Sequence, residues 1–127
     1  VISGDYLKLK FTLLKFDSVF YEKLFVSIEF LNNNLISVLK YVNDEMGYSF
    51  SNLKNSDSFE LVIPNLYLRA GDYSIRVVIT EIDTSPTNFI DVLDNVTSIN
   101  ILQGDLWKSG KLNRKDDINI LHDKFEI

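Results

Sequence analysis

From Tyr73 to Ile82 the chain alternates, with Tyr73, Ile75, Val77 and Ile79 on one side and Ser74, Arg76, Val78 and Thr80 on the other. A repeat of two is the period of a β-strand, whose successive side chains point to opposite faces; a helix cannot collect these apolar residues on one side. The same pattern recurs along the chain. Asp5 to Lys15 sets Leu7, Leu9, Phe11 and Leu13 against Tyr6, Lys8, Lys10 and Thr12 until Asp17 and Ser18 break it. Leu24 to Leu31 sets Val26, Ile28 and Phe30 against Phe25, Ser27, Glu29 and Leu31. Phe59, Leu61 and Ile63 alternate with Ser58, Glu60 and Val62 up to Pro64, which has no N–H to give a ladder.

Turn chemistry separates these strands. Asn32-Asn33-Asn34 predicts a turn, since Asn tolerates positive φ, and Leu35 to Val42 is the returning strand. Asn43 to Asp57 reads as a polar loop around Tyr48 and Phe50, with Gly47, Asn52 and Ser56 as breakers, and Asp83 to Asn88 as a link containing Pro86. A short edge piece at Phe89 to Leu93, a strand at Asn95 to Gln103, a long connection from Gly104 to Asp116 around Trp107, and a closing strand from Ile118 to Ile127 complete the chain. About seven or eight short strands without a helix predict one all-β domain spanning residues 1–127. The expected architecture is an antiparallel β-sandwich of Ig-like or jelly-roll type with Greek-key connections. Within it, Leu68, Gly71 and Tyr73 have the spacing of a tyrosine corner, in which the phenol returns to backbone just upstream where the chain crosses between sheets.

Several functions are excluded by what the sequence lacks. The net charge of -5, with basic residues scattered, provides no field for a phosphate backbone, so nucleic acid is not an expected partner. There is no Cys, and His122 is the single His, expected to be structural beside Ile118, Ile120 and Phe125. A zinc cluster or a Ser-His-Asp constellation therefore has too few members. Asp116-Asp117 and Asp91/Asp94 lack the alternating acidic loop of a calcium site and are expected to be solvated. Neither G-x-x-x-x-G-K-[ST] nor G-x-G-x-x-G occurs, and no apolar run approaches the ~18 residues that cross a bilayer. No catalytic residue, metal or cofactor is expected; the absence of Cys fits a cytoplasmic setting.

What remains is binding. A pyranose has an apolar face and a polar rim, and is held by an aromatic platform with planar polar groups beside it. The outward residues of the middle strands that suit this are Tyr41, Arg76, Thr80, Asn100 and Glu29. The other reading is a structural or protein-interaction sandwich, an Ig-like spacer or assembly module, with Phe25 and Leu31 as an apolar partner surface.

Four stretches carry a resemblance to a known family. They are Ser3-Gly4-Asp5 before the first strand, Phe59 through Leu66-Tyr67-Leu68-Arg69-Ala70-Gly71-Asp72-Tyr73, the acidic turn of Asp91 to Asp94, and Asp117-Ile118-Asn119-Ile120-Leu121-His122-Asp123-Lys124-Phe125. In this order they resemble the C-terminal carbohydrate-binding domain of the ATPase subunit of O-antigen polysaccharide ABC transporters, over nearly the whole chain. Phe125 stands where similar domains often carry Trp. The resemblance implies a domain cut from behind an N-terminal nucleotide-binding domain, at the cytoplasmic face of the membrane with a transporter subunit. It implies recognition, without catalysis, of the modified non-reducing end of an exported polysaccharide. It further implies a homodimer, in a family whose last strand can be exchanged between protomers across a long link such as residues 104–116.

Overall fold

The computed structural model describes residues 1–12, 24–50, 58–81 and 89–127, and of residues 81 and 89–96 the backbone alone. The expected extension of the first strand to Lys15, its break at Asp17, the end of the 43–57 loop and the link around Pro86 lie outside those residues. Six strands are present among them: β1 (Leu7–Thr12), β2 (Leu24–Leu31), β3 (Ser37–Val42), β4 (Ser58–Ile63), β5 (Gly71–Glu81) and β6 (Phe89–Ile101). The helical content among the described residues is a single 3₁₀ turn at Asp44–Met46.

The strands form two antiparallel sheets, β1-β4 and β3-β2-β5-β6. Their inner faces make one core. Val26, Ile28 and Phe30 of β2 and Tyr73, Ile75, Val77 and Ile79 of β5 are buried, and Leu7, Leu9, Phe11, Phe59 and Leu61 of the small sheet pack against them. Phe11 stacks on Phe59 with ring centroids 5.1 Å apart, and Phe50 meets Phe59 edge-on at 4.9 Å. This is the β-sandwich expected from alternation, with Lys8 and Glu60 paired at 3.2 Å on the outside of the small sheet.

The β4–β5 connection crosses from one sheet to the other. Leu66 and Leu68 are fully buried there, and the Tyr73 hydroxyl donates to the Arg69 carbonyl at 2.9 Å, closing the corner. The N-terminus locks the same segment. Gly4 N donates to Leu66 O at 2.8 Å, Leu66 N to Asp5 O at 2.9 Å, and the Ser3 hydroxyl to Leu68 O. Ser3 N also donates to Leu102 O at 2.8 Å, so the first residues tie the corner to the end of β6. The approach requires Gly104, where a Cβ would stand 2.2 Å from the Ser3 carbonyl oxygen.

Four expectations need correction. First, Leu35 to Val42 is not a continuous strand. Leu35, not an Asn of the turn, has positive φ (59°), and β3 starts at Ser37. Asn32 is buried instead, its Oδ1 accepting from Asn34 N (3.0 Å) and Ile36 N (3.1 Å) and its Nδ2 donating to Asp117 O (3.0 Å). Second, the segments on either side of Asp94 are one strand. Ile75 pairs with Thr97 and Val77 with Leu93, so residues 94–96 bulge opposite Arg76, and turn-forming residues are absorbed without ending the ladder.

Third, Ile118 to Ile127 forms no strand. The Asp116 carboxylate takes the Ile118 and Asn119 amides (2.8 and 3.1 Å), Leu121 N goes to Tyr67 O (2.8 Å), and the His122 carbonyl accepts from the Trp107 indole (3.1 Å). Backbone groups a ladder would need are engaged by Asp116 beside them and by Tyr67 and Trp107 from outside the tail. Fourth, Phe25 and Leu31 make no exposed apolar row, since Leu31 is buried and Phe25 half-buried.

Candidate functional site

Register brings three charged residues into line. On the outer face of the large sheet Glu29 of β2 stands opposite Lys40 of β3 on one side and Arg76 of β5 on the other. Glu29 Oε1 lies 3.5 Å from Lys40 Nζ, and Oε2 lies 3.8 Å from Arg76 Nη1. The carboxylate forms the floor, its side chain 11% exposed, while Lys40 reaches into solvent. Phe25, Ser27, Val78 and Thr80 complete a concavity of ≈ 150 Å³ around this row. It therefore offers a carboxylate, an ammonium, a guanidinium and two hydroxyls beside a half-buried ring.

Three of the sequence candidates, Glu29, Arg76 and Thr80, line this hollow. Thr80 was expected to point freely outward; it lies on that face but is only 2% exposed. Asn100 is elsewhere. It pairs with Asp72, to which its amide donates at 2.6 Å, four residues along β5 from Arg76 and so about 13 Å away at a strand's rise of ~3.3 Å per residue.

Tyr41 requires the largest correction, because it is on the inner face. Leu31 pairs with Ser37 but Phe30 with Leu39, so Val38 is an extra residue in β3. One inserted residue turns every later side chain to the opposite face, which sends Lys40 out and Tyr41 in. Tyr41 there meets Phe30 edge-on at 6.4 Å, and burial first, then the Tyr67 phenol, push its hydroxyl above the ordinary value. Lys40 and Ser27 were not chosen from the sequence, and Phe25 was chosen only as part of an apolar partner surface. The signal for Phe25 and Ser27 was their shared alternation with Glu29; for Lys40 there was none without the bulge.

The second concave region is larger and of a different character. A cleft of ≈ 730 Å³ lies between the sheets, walled by Val26, Ile28, Leu39, Tyr41, Phe50 and Phe59, among others. Three of its polar members, Asn43, Glu60 and Tyr67, are engaged with the protein itself. Asn43 Oδ1 accepts from Val26 N (2.8 Å), and its Nδ2 donates to Leu24 O (3.2 Å) and Tyr48 O (2.9 Å). Glu60 is paired with Lys8, and the Tyr67 hydroxyl donates to Asp123 Oδ1 at 2.7 Å, which holds its pKa up. The cleft can bury apolar groups, whereas the outer hollow can hydrogen-bond a polar one.

Among the described residues no group of three or more His, Cys, Asp and Glu is placed to hold a metal ion, and no helix is long and apolar enough to cross a membrane. His122 is exposed, its ring 5.2 Å from that of Trp107 and its Nδ1 2.7 Å from the Asp123 carbonyl oxygen. Asp116, whose carboxylate takes the Ile118 amide and then the Asn119 side chain and amide, is held below the usual carboxylate range. Both belong to the tail's local bonding. No family model matches this sequence, and no curated protein is significantly similar to it.

Proposed function

We propose that this domain is a non-catalytic glycan-binding module that takes the end of a bacterial surface polysaccharide on the outer face of β3, β2 and β5. The observation that carries the reading is the row Lys40–Glu29–Arg76 in a small hollow with the Ser27 and Thr80 hydroxyls and the Phe25 ring. A sugar rim needs donors and acceptors side by side, and a ring needs one apolar contact; the hollow has both. Its ≈ 150 Å³ is the room of about five waters, suited to one terminal ring and not to a length of chain. The resemblance of the corner, the acidic 91–94 stretch and the tail to domains of O-antigen exporters supports the polymer class. In that reading the domain acts as a homodimer beside a transporter subunit at the cytoplasmic face of the membrane. It licenses export of finished chains and works without metal or cofactor.

A glycan array carrying bacterial polysaccharides with and without methyl or phosphate end caps tests this. Selective binding to a terminal epitope is expected, reduced at least about tenfold by Arg76→Ala with the fold intact. Silence across the array by a folded domain would reject it. The second reading, a protein-interaction sandwich, is favoured by the apolar cleft, which has the size of a binding pocket but few polar groups to orient a sugar.

A further inference from the structure

The corner between β4 and β5 is gripped from two sides. Residues 66–69 belong to no strand, so no ladder fixes their backbone. Burial alternates along them: Leu66 and Leu68 are fully buried, Tyr67 and Arg69 half-buried. The buried pair is held by the first residues of the chain. Gly4 N donates to Leu66 O at 2.8 Å, Leu66 N to Asp5 O at 2.9 Å, and the Ser3 hydroxyl to Leu68 O. The other pair is held by the tail. Leu121 N donates to Tyr67 O at 2.8 Å, the Tyr67 hydroxyl to Asp123 Oδ1 at 2.7 Å, and Arg69 Nη1 to the Arg114 carbonyl at 3.2 Å. Neighbouring peptide units of one short segment therefore answer to opposite ends of the sequence.

The two grips differ in how readily they open. In the 114–123 strap Leu121 is buried, but Ile118 and Ile120 are exposed, and the remaining holds are Asn32 Nδ2 on the Asp117 carbonyl and the Trp107 indole on the His122 carbonyl. Little apolar surface keeps the strap down, which places it at the low-stability end of the fold. The link before it closes on itself. Asn113 is buried, its Oδ1 accepting from Leu106 N (3.1 Å), its N donating to Gly104 O (2.6 Å) and its carbonyl accepting from Gln103 Nε2 (3.0 Å), so the strap can leave while residues 104–113 stay in place. Among the described residues no hydrogen bond or ion pair joins residues 1–5 directly to residues 114–123. We propose that the corner is a conformational relay: strap and N-terminal clasp stabilise the same arrangement of residues 66–69, so release of the strap loosens the clasp. A partner that draws the strap away is then felt at residues 3–5, and one that holds residues 3–5 tightens the strap.

Hydrogen exchange of the whole chain, read amide by amide, tests this. Leu121→Ala removes the strap's anchor; exchange is expected to rise at least about tenfold at residue 121 and about fivefold at Gly4 and Leu66, with the core amides of β2 and β5 unchanged. Ser3→Ala takes the hydroxyl from the Leu68 carbonyl and is expected to quicken Leu121 about fivefold, since coupling between two grips is reciprocal. Asp123→Ala, at an exposed position, cuts the Tyr67 hydroxyl bond alone and should move the same amides in the same direction by a smaller factor. Faster exchange at residue 121 with Gly4 and Leu66 unmoved would overturn the relay, because the two grips would then open independently. An equal rise at the β2 and β5 amides, or a Leu121→Ala chain that no longer folds, would also overturn it by making the tail part of the core.

Discussion

The two faces of β2 and β3 are built from neighbouring residues and differ in character. Ile28 and Tyr41 form a register pair that faces a cleft of ≈ 730 Å³, while Glu29 and Lys40, one position along each strand, pair over a hollow of ≈ 150 Å³. In the larger space the Asn43 amide bonds backbone at Val26, Leu24 and Tyr48. The smaller holds the Glu29 carboxylate between Lys40 at 3.5 Å and Arg76 at 3.8 Å. Size alone would direct a search for ligands to the inner side of the sheet. What distinguishes the faces is their lining, mostly apolar within and a row of charged side chains without.

If that division holds, inner-face substitutions should alter stability and outer-face ones binding. The largest effect is expected from Phe30→Ala. Phe30 is fully buried beneath Tyr41, and removing its ring should cost about 3–5 kcal/mol in chemical denaturation. Loss of glycan affinity without loss of stability in this variant would break the comparison.

Asn43→Ala comes next. It strands the Val26 amide and two carbonyls at the edge of the cleft, and about 2–3 kcal/mol should be lost in the same measurement. A neutral result would mean that the amide is replaceable and the cleft less committed than its bonding indicates.

Tyr73→Phe is the smallest. It removes one hydrogen bond, to the Arg69 carbonyl, for about 1 kcal/mol near neutral pH. Burial, with Asp117 and then Asp116 nearby, pushes the Tyr73 phenol up to about 12 from 10.0. The unfolded chain therefore gives up this proton first, so the contribution is complete below pH 10 and is lost as the pH rises towards 12. Unfolding curves of Tyr73→Phe should decline less steeply across that window than those of the parent, and identical slopes would show that another group dominates.

The sequence made one part of this legible and concealed another. Alternation in β2, β4 and β5 assigned Phe30, Ile63 and Ile75 to the core because a period of two leaves no freedom once one face is buried. The corner was readable from Leu68, Gly71 and Tyr73 because its bond is local, four residues from phenol to carbonyl. Glu29 and Arg76 were found together because both follow unbroken alternation on paired strands. Tyr41 was misplaced because a bulge at Val38 has no signature in an apolar run, and the same bulge concealed Lys40. The tail read as a strand because Ile118 and Ile120 alternate, while the competing bonds come from Asp116 and from Tyr67 and Trp107, residues a periodicity argument does not consult.

In the proposed function, ligand is held on the outer face and the inter-sheet cleft serves the fold. The most direct test is an amide-shift map recorded with the polysaccharide that binds on the array. The shifts are expected to concentrate at Phe25, Ser27, Glu29, Lys40, Arg76 and Thr80. Shifts concentrated at Asn43, Tyr48, Phe50 and Tyr67, the residues of the cleft, would contradict it and assign binding to the inner side of the sheet.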